Sequence, residues 1–306
     1  MRNKRYVGIE KKQARWGAVF VTPAILFFSV FSFYPILTAM YTSFFDKRVL
    51  SLAAPPFVGL GNYIYLFTSQ VAGFWNSLRA TFVFTIGTFI PLLAFSLLFA
   101  VFLTHAVHHR SRGFFQIAYY TPAVLSSVVA AAIWKLIFDP RGLANQWVNT
   151  LLMTAGVDHK WLADSIMVQF STMLVYFWKY IGYFVILFIT GLSSIPPTIY
   201  EAATIDGSNK WQSFWRITLP LLRPTVVLVS IMSMLQCLKT FSTQYLFTQA
   251  GAPQAPINVI TLNIYRTGII NQRIGRASAM SIVLFIIMLV FTWLQFRTSK
   301  SDEVDY

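Results

Sequence analysis

Acidic residues are rare in this 306-residue chain, which has 10 Asp and Glu against 24 Lys and Arg. Charged residues of both signs make up 11% of the chain, roughly half the share of an ordinary soluble domain. So little charge excludes a soluble globular protein. The acidic residues also lie outside the long apolar stretches of the sequence, which weakens any mechanism that needs a carboxylate within a membrane.

Residues that serve catalysis, metal binding or nucleotide binding are equally scarce. Cys237 is the one cysteine, so no disulfide framework or cysteine-based zinc site is expected, and we interpret it as a small core residue. The histidines of HAVHHRSR (His105, His108 and His109) have no Cys or acidic residue nearby. They could form a metal cluster or a solvated loop, and we predict no metal and no catalytic site. No GxxxxGK[ST] motif occurs, so we expect no ATP site and no cofactor on this chain.

Long apolar blocks dominate the sequence instead. The chain is 56% hydrophobic and 17% aromatic, and its mean hydropathy is +0.60. A membrane-spanning helix needs about 20 apolar residues, twice as many as a barrel strand, and long blocks without alternation predict helices. We therefore predict an all-α membrane protein with six transmembrane helices. Their expected positions are about 17–45, 80–104, 114–138, 166–192, 224–247 and 277–296.

The residues that flank these blocks predict the orientation of the chain. The first segment, MRNKRYVGIEKKQAR (1–15), is strongly basic, and basic residues near the ends of spans favour the cytoplasm. With six spans, the loop at 201–224 and the tail at 298–306 lie on the same side. The first block is too long for a signal peptide and no cleavage site follows it, so we expect it to stay as an anchor. The six-span domain would then cover 16–297, with both termini cytoplasmic.

The net charge of +14 would also suit a nucleic acid or an acidic partner. Most of the basic residues flank the apolar blocks, however, where topology and anionic lipid headgroups account for them. No nucleic-acid-binding module accompanies the charge. We predict membrane lipid as a partner and no nucleic acid.

Four classes of membrane protein remain. An ion-coupled secondary carrier normally places Asp, Glu or His within the membrane, a channel has a filter or a charged ring, and a membrane enzyme needs a catalytic constellation. None of these features can be identified. The fourth class is a permease that is not itself an enzyme and is powered by another subunit, and a secondary carrier or channel is the alternative.

A polar segment, EAATIDGSNKWQSFWRITLPLLRP (201–224), interrupts the apolar chain between the fourth and fifth blocks. Paired prolines before it suit the first turn of a helix, and Gly207 can adopt the left-handed conformation that ends one. About ten residues of helix are expected between them. Ala202 and Ala203 would keep one side of this helix slim, so that another protein can approach closely.

The second half of this segment predicts another short helix. Ser208 or Asn209 is a possible N-cap, and Trp211, Phe214 and Trp215 are spaced as an apolar stripe that would lie against the bundle or the bilayer interface. By spacing alone, an ordinary amphipathic connector fits the segment as well as a docking element does.

The segment resembles the EAA loop of the inner-membrane subunits of ATP-binding-cassette importers, whose pattern reads EAA, then DGA, then I-x-LP. The matching residues include Glu201, Ala202, Ala203, Asp206, Gly207, Leu219 and Pro220, and Ser208 replaces the usual Ala. FVGLGNY (57–63), TPAVLSSVVAAAIWKLIFDPRGLAN (121–145) and YLFTQAGAP (245–253) resemble further segments of the carbohydrate branch of this family. The resemblance covers nearly the whole chain from about residue 16.

The resemblance implies a complete transporter in a bacterial or archaeal plasma (inner) membrane. The chain would form half of a translocation path for a sugar, polyol or oligosaccharide and would pair with a second, similar permease subunit. Two copies of a cytoplasmic ATPase would bind the ATP, and an extracytoplasmic binding protein would deliver the solute. The helix that contains Glu201 would dock in a groove of the ATPase and transmit its closure to the bundle.

A sugar path requires hydrogen-bonding groups and aromatic faces among the spans. The polar residues that could face it are Lys179, Gln236, Lys239, Thr240 and Gln244. An intramembrane lysine indicates a function by default, and the alternative is that the lysine snorkels toward the headgroups. We favour snorkelling for Lys135 and leave both readings open for Lys239. Lys179 is followed by 16 uncharged residues, which argues against a terminal anchor.

Overall fold

The computed structural model describes residues 4–51, 53–105, 109–154 and 156–299, and most of these residues are helical. Up to residue 151 the helices are α1 (Lys4–Phe28), α2 (Tyr34–Thr42), α3 (Gly61–Thr68), α4 (Phe74–His105), α5 (His109–Val124), α6 (Ser127–Ile137) and α7 (Leu143–Leu151). They are followed by α8 (Ser165–Ser193), α9 (Pro197–Ile205), α10 (Lys210–Ser213), α11 (Leu219–Leu221), α12 (Arg223–Leu238), α13 (Ser242–Gln249), α14 (Gln254–Ile257), α15 (Ile260–Tyr265) and α16 (Ile274–Ser299).

Five segments of the described chain are helical, long and apolar enough to cross a membrane. They are Trp16–Thr42, Phe74–Thr104, Ser165–Ser193, Arg223–Gln249 and Ile274–Arg297. The pair α5 and α6 passes the same test only when its two helices are taken together, because they are bent by 100°. The predicted all-α membrane architecture is confirmed, and the bent pair stands where the sequence analysis expects a third straight helix.

The bend between α5 and α6 has a local cause. Ser126 adopts an extended backbone (φ −61°, ψ 150°), and its side chain accepts a hydrogen bond from the backbone N–H of Val129. Ser126 is therefore the N-cap of a new helix rather than a residue within a continuous one. Pro122 in the last turn of α5 has no N–H to donate, which weakens the helix just before the bend.

A second interruption separates α12 from α13. Lys239 ends α12, and Phe241 has a backbone (φ −148°, ψ −52°) that does not continue the helix. Non-helical backbone at membrane depth is tolerated only where it is buried in protein or lines a cavity. The interruption therefore indicates a polar site within the bundle.

The contacts divide the chain into two compact units, one containing residues 4–72 and 264–283 and the other 73–263 and 284–299. In the larger unit α8 is central and packs against α4, α5 and α12. Asp164 caps its N-terminus by accepting hydrogen bonds from the N–H groups of Ile166 and Met167 at 2.9 Å. These bonds, that of Met167 first, lower the pKa of the Asp164 carboxyl below its usual value.

Gly182 explains the close packing of α8 on α5. A Cβ placed on Gly182 would lie 1.9 Å from the carbonyl oxygen of Tyr119, so the two helix backbones touch at this point. Small residues allow membrane helices to approach each other in this way. The core around α8 is formed by large side chains that include Phe84, Leu92, Phe184, Phe188 and Val229.

The smaller unit is held by polar contacts among its loops. The side-chain amide of Asn62 donates to the backbone oxygens of Ser43 and Phe45 at 2.8 and 2.9 Å. Asp46 accepts from Arg48 at 2.7 Å and lies 3.8 Å from Arg273. The hydrogen bond from Arg48 lowers the pKa of the Asp46 carboxyl. These contacts order the connection that follows α2.

Candidate functional site

The helix α9 is bounded by the signals that the sequence predicts for it. Pro196 is extended (ψ 133°) and Pro197 occupies the first turn. At the other end Gly207 has a positive φ of 77°, and the N–H groups of Gly207 and Ser208 donate to the carbonyls of Thr204 and Ala203 at 3.1 and 2.9 Å. This pair of bonds is the Schellman motif, which satisfies the last carbonyls of a helix. The left-handed conformation predicted for Gly207 is confirmed.

One face of α9 is open in the described chain and the other packs inward. Glu201, Ala202 and Asp206 are exposed, and Ile205 is 87% exposed. Ala203 is buried, because successive residues of a helix point about 100° apart. Of the two alanines, only Ala202 therefore lies on the open side of the helix, whereas the sequence analysis expects both of them to face a partner.

The second half of the loop begins with a capping box. Asn209 accepts from the N–H of Gln212 at 2.9 Å, and the Gln212 side chain accepts from the N–H of Asn209 at 3.0 Å. This geometry selects Asn209 rather than Ser208 as the N-cap. Trp211 and Trp215 follow in edge-to-face contact, with ring centroids 5.7 Å apart, and both are at least half exposed.

A hydrogen bond joins the two halves of this loop. The hydroxyl of Tyr200 lies 3.1 Å from that of Thr218, and Thr218 is buried. Leu219 and Pro220 follow in α11, the short helix that leads into α12. The position of α9 is thus tied to the start of the fifth span.

A polar cavity of about 280 Å³ lies among α6, α8, α12 and α13, in the larger unit. It is lined by residues that include Ser127, Tyr176, Lys179, Tyr180, Gln236, Lys239, Thr240 and Thr243. The Nζ atom of Lys179 donates to the hydroxyl of Ser127 at 2.9 Å and lies 5.3 Å from the ring centroid of Tyr180. The cavity combines hydrogen-bonding groups with aromatic faces.

The break between α12 and α13 supplies one side of this cavity. Thr240 donates from its hydroxyl to the side-chain oxygen of Gln244 at 3.1 Å, and its backbone oxygen accepts from the hydroxyl of Thr261. Gln244 is fully buried behind Thr240, and its Nε2 has no hydrogen-bond partner among the described residues. Gln244 therefore supports the wall rather than lining the cavity.

The structure brings together most of the polar residues that the sequence analysis assigns to a solute path. Lys179, Gln236, Lys239 and Thr240 line one cavity, although Lys179 lies on a different span from the others. Lys135 is exposed in the last turn of α6 and is not among the residues that line the cavity.

Sequence reasoning misses six residues of the cavity, which are Ser127, Tyr176, Tyr180, Phe241, Ser242 and Thr243. Tyr176 and Tyr180 share a span with Lys179, and the spacing of Tyr176 from Lys179 places both on one face of a helix. Helical spacing could therefore have found Tyr176. Ser127 is 52 residues from Lys179 in sequence, and no local signal joins them. The side chains of His105, His108 and His109 lie outside the described part of the chain.

A bundle of membrane helices with an internal polar cavity is the architecture of a multi-pass transport protein. The family model for the inner membrane component of binding-protein-dependent transport systems matches residues 69–300. The chain belongs to this family of permease subunits.

Relatives match over nearly the whole chain. The arabinooligosaccharide transport permease AraP of Bacillus subtilis (strain 168) is 32% identical over 285 residues, which cover 92% of this chain and 88% of AraP. The lactose transport permease LacF of Rhizobium radiobacter is 31% identical over 304 residues, which cover 98% of this chain and 97% of LacF.

A solved structure has the same fold. A chain of a bacterial alginate ABC transporter, crystallised in complex with its alginate pentasaccharide-bound periplasmic protein, superimposes with a TM-score of 0.80 at 20% identity. The match covers 97% of this chain and 98% of that one.

Proposed function

We propose that this chain forms half of the translocation path of an ATP-driven carbohydrate importer and that α9 couples it to a separate ATPase. The observation that carries the coupling role is the open face of α9. Glu201 and Ala202 are exposed on a helix that begins at paired prolines, ends in a Schellman motif and is joined through Tyr200 to Thr218, just before α11. A well-formed helix with an accessible face is what a docking partner requires.

The substrate class rests on the relatives and on the cavity. AraP and LacF are named for oligosaccharide and lactose transport. The cavity offers what sugar recognition needs, because Tyr176 and Tyr180 present aromatic rings whose centroids are 4.5 Å apart, and Gln236 and Thr240 supply polar groups beside them. We assign the cavity to the solute path.

The remaining components of the transporter belong to the same proposal. They are a second permease subunit that completes the path, two copies of an ATPase that bind the nucleotide, and an extracytoplasmic binding protein that delivers the solute. This chain has no P-loop of its own, so we propose that it neither binds nor hydrolyses ATP. It would lie in the plasma membrane with both termini and α9 on the cytoplasmic side.

Transport by reconstituted protein tests this function. The chain alone in liposomes should be inert, and the complete set of subunits with ATP inside the vesicles should take up saccharide delivered by the binding protein. Uptake by the chain alone under a proton or sodium gradient would contradict the proposal and favour a secondary carrier. A complete transporter whose uptake did not need ATP would contradict it too.

Cysteine labelling tests the orientation. In a Cys237→Ser background, Lys210→Cys next to α9 should not react with an impermeant maleimide added to intact cells. Met153→Cys, between α7 and α8, is the matched control, because residue 153 is 95% exposed and the proposed topology places it outside. Labelling of Lys210→Cys from outside, or a failure to label Met153→Cys, would contradict the proposed topology.

A further inference from the structure

We infer that the solute of the cavity carries an anionic group, a carboxylate or a phosphate, bound by Lys179 with help from Lys239. This inference rests on the proposed function and narrows its substrate class from carbohydrates in general to acidic or phosphorylated ones. It is carried by an excess of positive charge around the cavity, to which two lysines and two helix N-termini contribute.

Lys179 is a cation without a counter-charge. It is the middle residue of α8 (Ser165–Ser193), about 21 Å from either end at 1.5 Å per residue, so its ammonium cannot snorkel to the headgroups. It is only 6% exposed, and its hydrogen bond goes to the neutral hydroxyl of Ser127. In the described part of the chain the salt bridges are formed by Asp46 with Arg48 and Arg273, and no acidic residue contacts Lys179.

The sequence explains why no counter-charge is present. Every Asp and Glu of the chain lies outside the apolar blocks that form the spans. A buried cation is stable when it is paired, and intramembrane charges normally pair with each other or mark a substrate path. The cavity beside Lys179 is where a partner of opposite charge can enter.

Two helices point their N-terminal ends at the same cavity. Ser127 is the first residue of α6, and Ser242 and Thr243 are the first residues of α13, and all three line the cavity. The start of α13 has no side-chain cap. A helix N-terminus carries a partial positive charge and N–H donors, which together favour an anion.

Lys239 adds a second cation, partly offset by its own helix. It lies at the C-terminal end of α12, where the carbonyl groups carry partial negative charge, and it lines the cavity from an exposed position. Lys179 has no comparable compensation, because the effect of a helix dipole falls off within the last turn. Lys179 is therefore the principal anion-binding group.

The neutral groups of the cavity suit the rest of such a solute. Tyr176 and Tyr180 offer ring faces for the apolar side of a sugar, and Gln236 and Thr240 offer partners for hydroxyl groups. The cavity of about 280 Å³ is near the lower end of the size range of ligand pockets. Its volume is about that of one sugar unit, so the charged unit of a longer solute could occupy it.

Competition between charged and neutral saccharides tests the inference. The complete transporter is reconstituted in pure phosphatidylcholine, so that no anionic headgroup is available, and uptake of labelled digalacturonate, glucose 6-phosphate and maltose is measured. We expect at least one anionic compound to be taken up with a kcat/KM at least tenfold above that of maltose. The carboxylate and phosphate arms separate the two anion classes.

Charge variants locate the preference in the cavity. Lys179→Gln should lower the anion-to-maltose ratio at least tenfold, and Lys179→Arg should keep most of it. Lys135→Gln is the matched control, because it removes the same charge from α6 at a residue that does not line the cavity, and it should leave the ratio unchanged. If Lys179→Gln does not assemble, the exposed Lys239→Gln should lower the ratio about threefold.

The outcomes separate this inference from the proposed function. ATP-dependent uptake of maltose alone, or an anion preference unchanged in both Lys179→Gln and Lys239→Gln, would overturn the inference and leave the importer intact. A preference that appears only after anionic lipid is added would also overturn it. Failure to take up any of the three compounds would count against both.

Discussion

Replacing Gly207 by valine tests whether the end of α9 transmits force to the bundle. Gly207 has a φ of 77°, and no atom lies within 4 Å of the position that a Cβ would occupy. The cost of the substitution is therefore conformational and not steric, about 1–2 kcal/mol for a left-handed residue with a side chain. A domain stable by about 5–15 kcal/mol remains folded, but the Schellman motif loses its geometry and the path of the chain toward α10 changes.

Gly156→Val is the matched control for this substitution. Gly156 has a φ of 70° and equally open surroundings, but it lies between α7 and α8, away from the proposed docking face. Both variants should show the same small loss in thermal stability, measured by the melting of purified protein. We expect Gly207→Val to lose ATP-dependent uptake and Gly156→Val to keep it. Equal uptake in the two variants would refute the role of α9 as a joint.

Three further changes have expected outcomes. Glu201→Lys should reduce the amount of ATPase that copurifies with the chain at least tenfold, which is equivalent to about 1.4 kcal/mol. Glu201→Gln, which removes the charge without reversing it, should reduce this amount less. Unchanged copurification of the ATPase would contradict docking through α9. Gly182→Ala should destabilise the protein by about 1–3 kcal/mol in thermal melting, because its Cβ would overlap a backbone carbonyl of α5. Gly113→Ala is the control within α5, because its Cβ meets no atom within 4 Å, and it should leave the stability unchanged or raise it by up to about 1 kcal/mol. Asp46→Asn should lower the melting temperature at neutral pH, because the bond from Arg48 lowers the pKa of the folded carboxyl. The stabilising effect of this bond is present above the unfolded pKa of about 3.9 and is lost as the pH falls through the lower folded value. The melting temperatures of wild type and variant should therefore begin to converge below about pH 4 and become equal only below the folded pKa.

The features of the loop at 201–224 could be predicted because their causes are local. Proline at a helix start, glycine in a left-handed conformation and asparagine at an N-cap each act on residues at most five positions away. The structure shows Pro197, Gly207 and Asn209 in these roles. The choice between Ser208 and Asn209 needed the structure, since both residue types are good N-caps.

The features of the cavity could not be predicted, because their causes are distant in sequence or hidden in apolar runs. Ser126 and Ser127 lie in the uncharged stretch TPAVLSSVVAAA, where hydropathy alone predicts one straight helix. Nothing local shows that the bend at Ser126 brings Ser127 to Lys179. The sequence analysis also places the start of α4 too late: the helix begins at Phe74, but the apolar block of the sequence begins only after the charged residue Arg79.

The two proposed sites lie on consecutive helices, and we propose that the connection between these helices couples them. Lys179 lies at the middle of α8, and only Ser194, Ile195 and Pro196 separate α8 from α9. This connection is tight, because the N–H groups of Ser194 and Ile195 donate to the carbonyls of Gly191 and Leu192 at 3.2 and 3.3 Å, and Ile195 is buried. We therefore propose that α8 and α9 move as a unit.

The bends and breaks are the places where relative motion can be absorbed. The cavity wall opposite α8 is formed by α6 and α13, which both follow an interruption of a span, whereas α8 is continuous. We expect spin labels at the exposed residues Thr198 and Thr190, on α9 and α8, to keep a constant distance through the ATP cycle. Labels at Thr198 and Gln249, on α9 and α13, should change their separation. If the Thr198–Thr190 distance changed while the Thr198–Gln249 distance stayed constant, α9 would move independently of α8. The coupling would then have to run through Tyr200 and α12 instead.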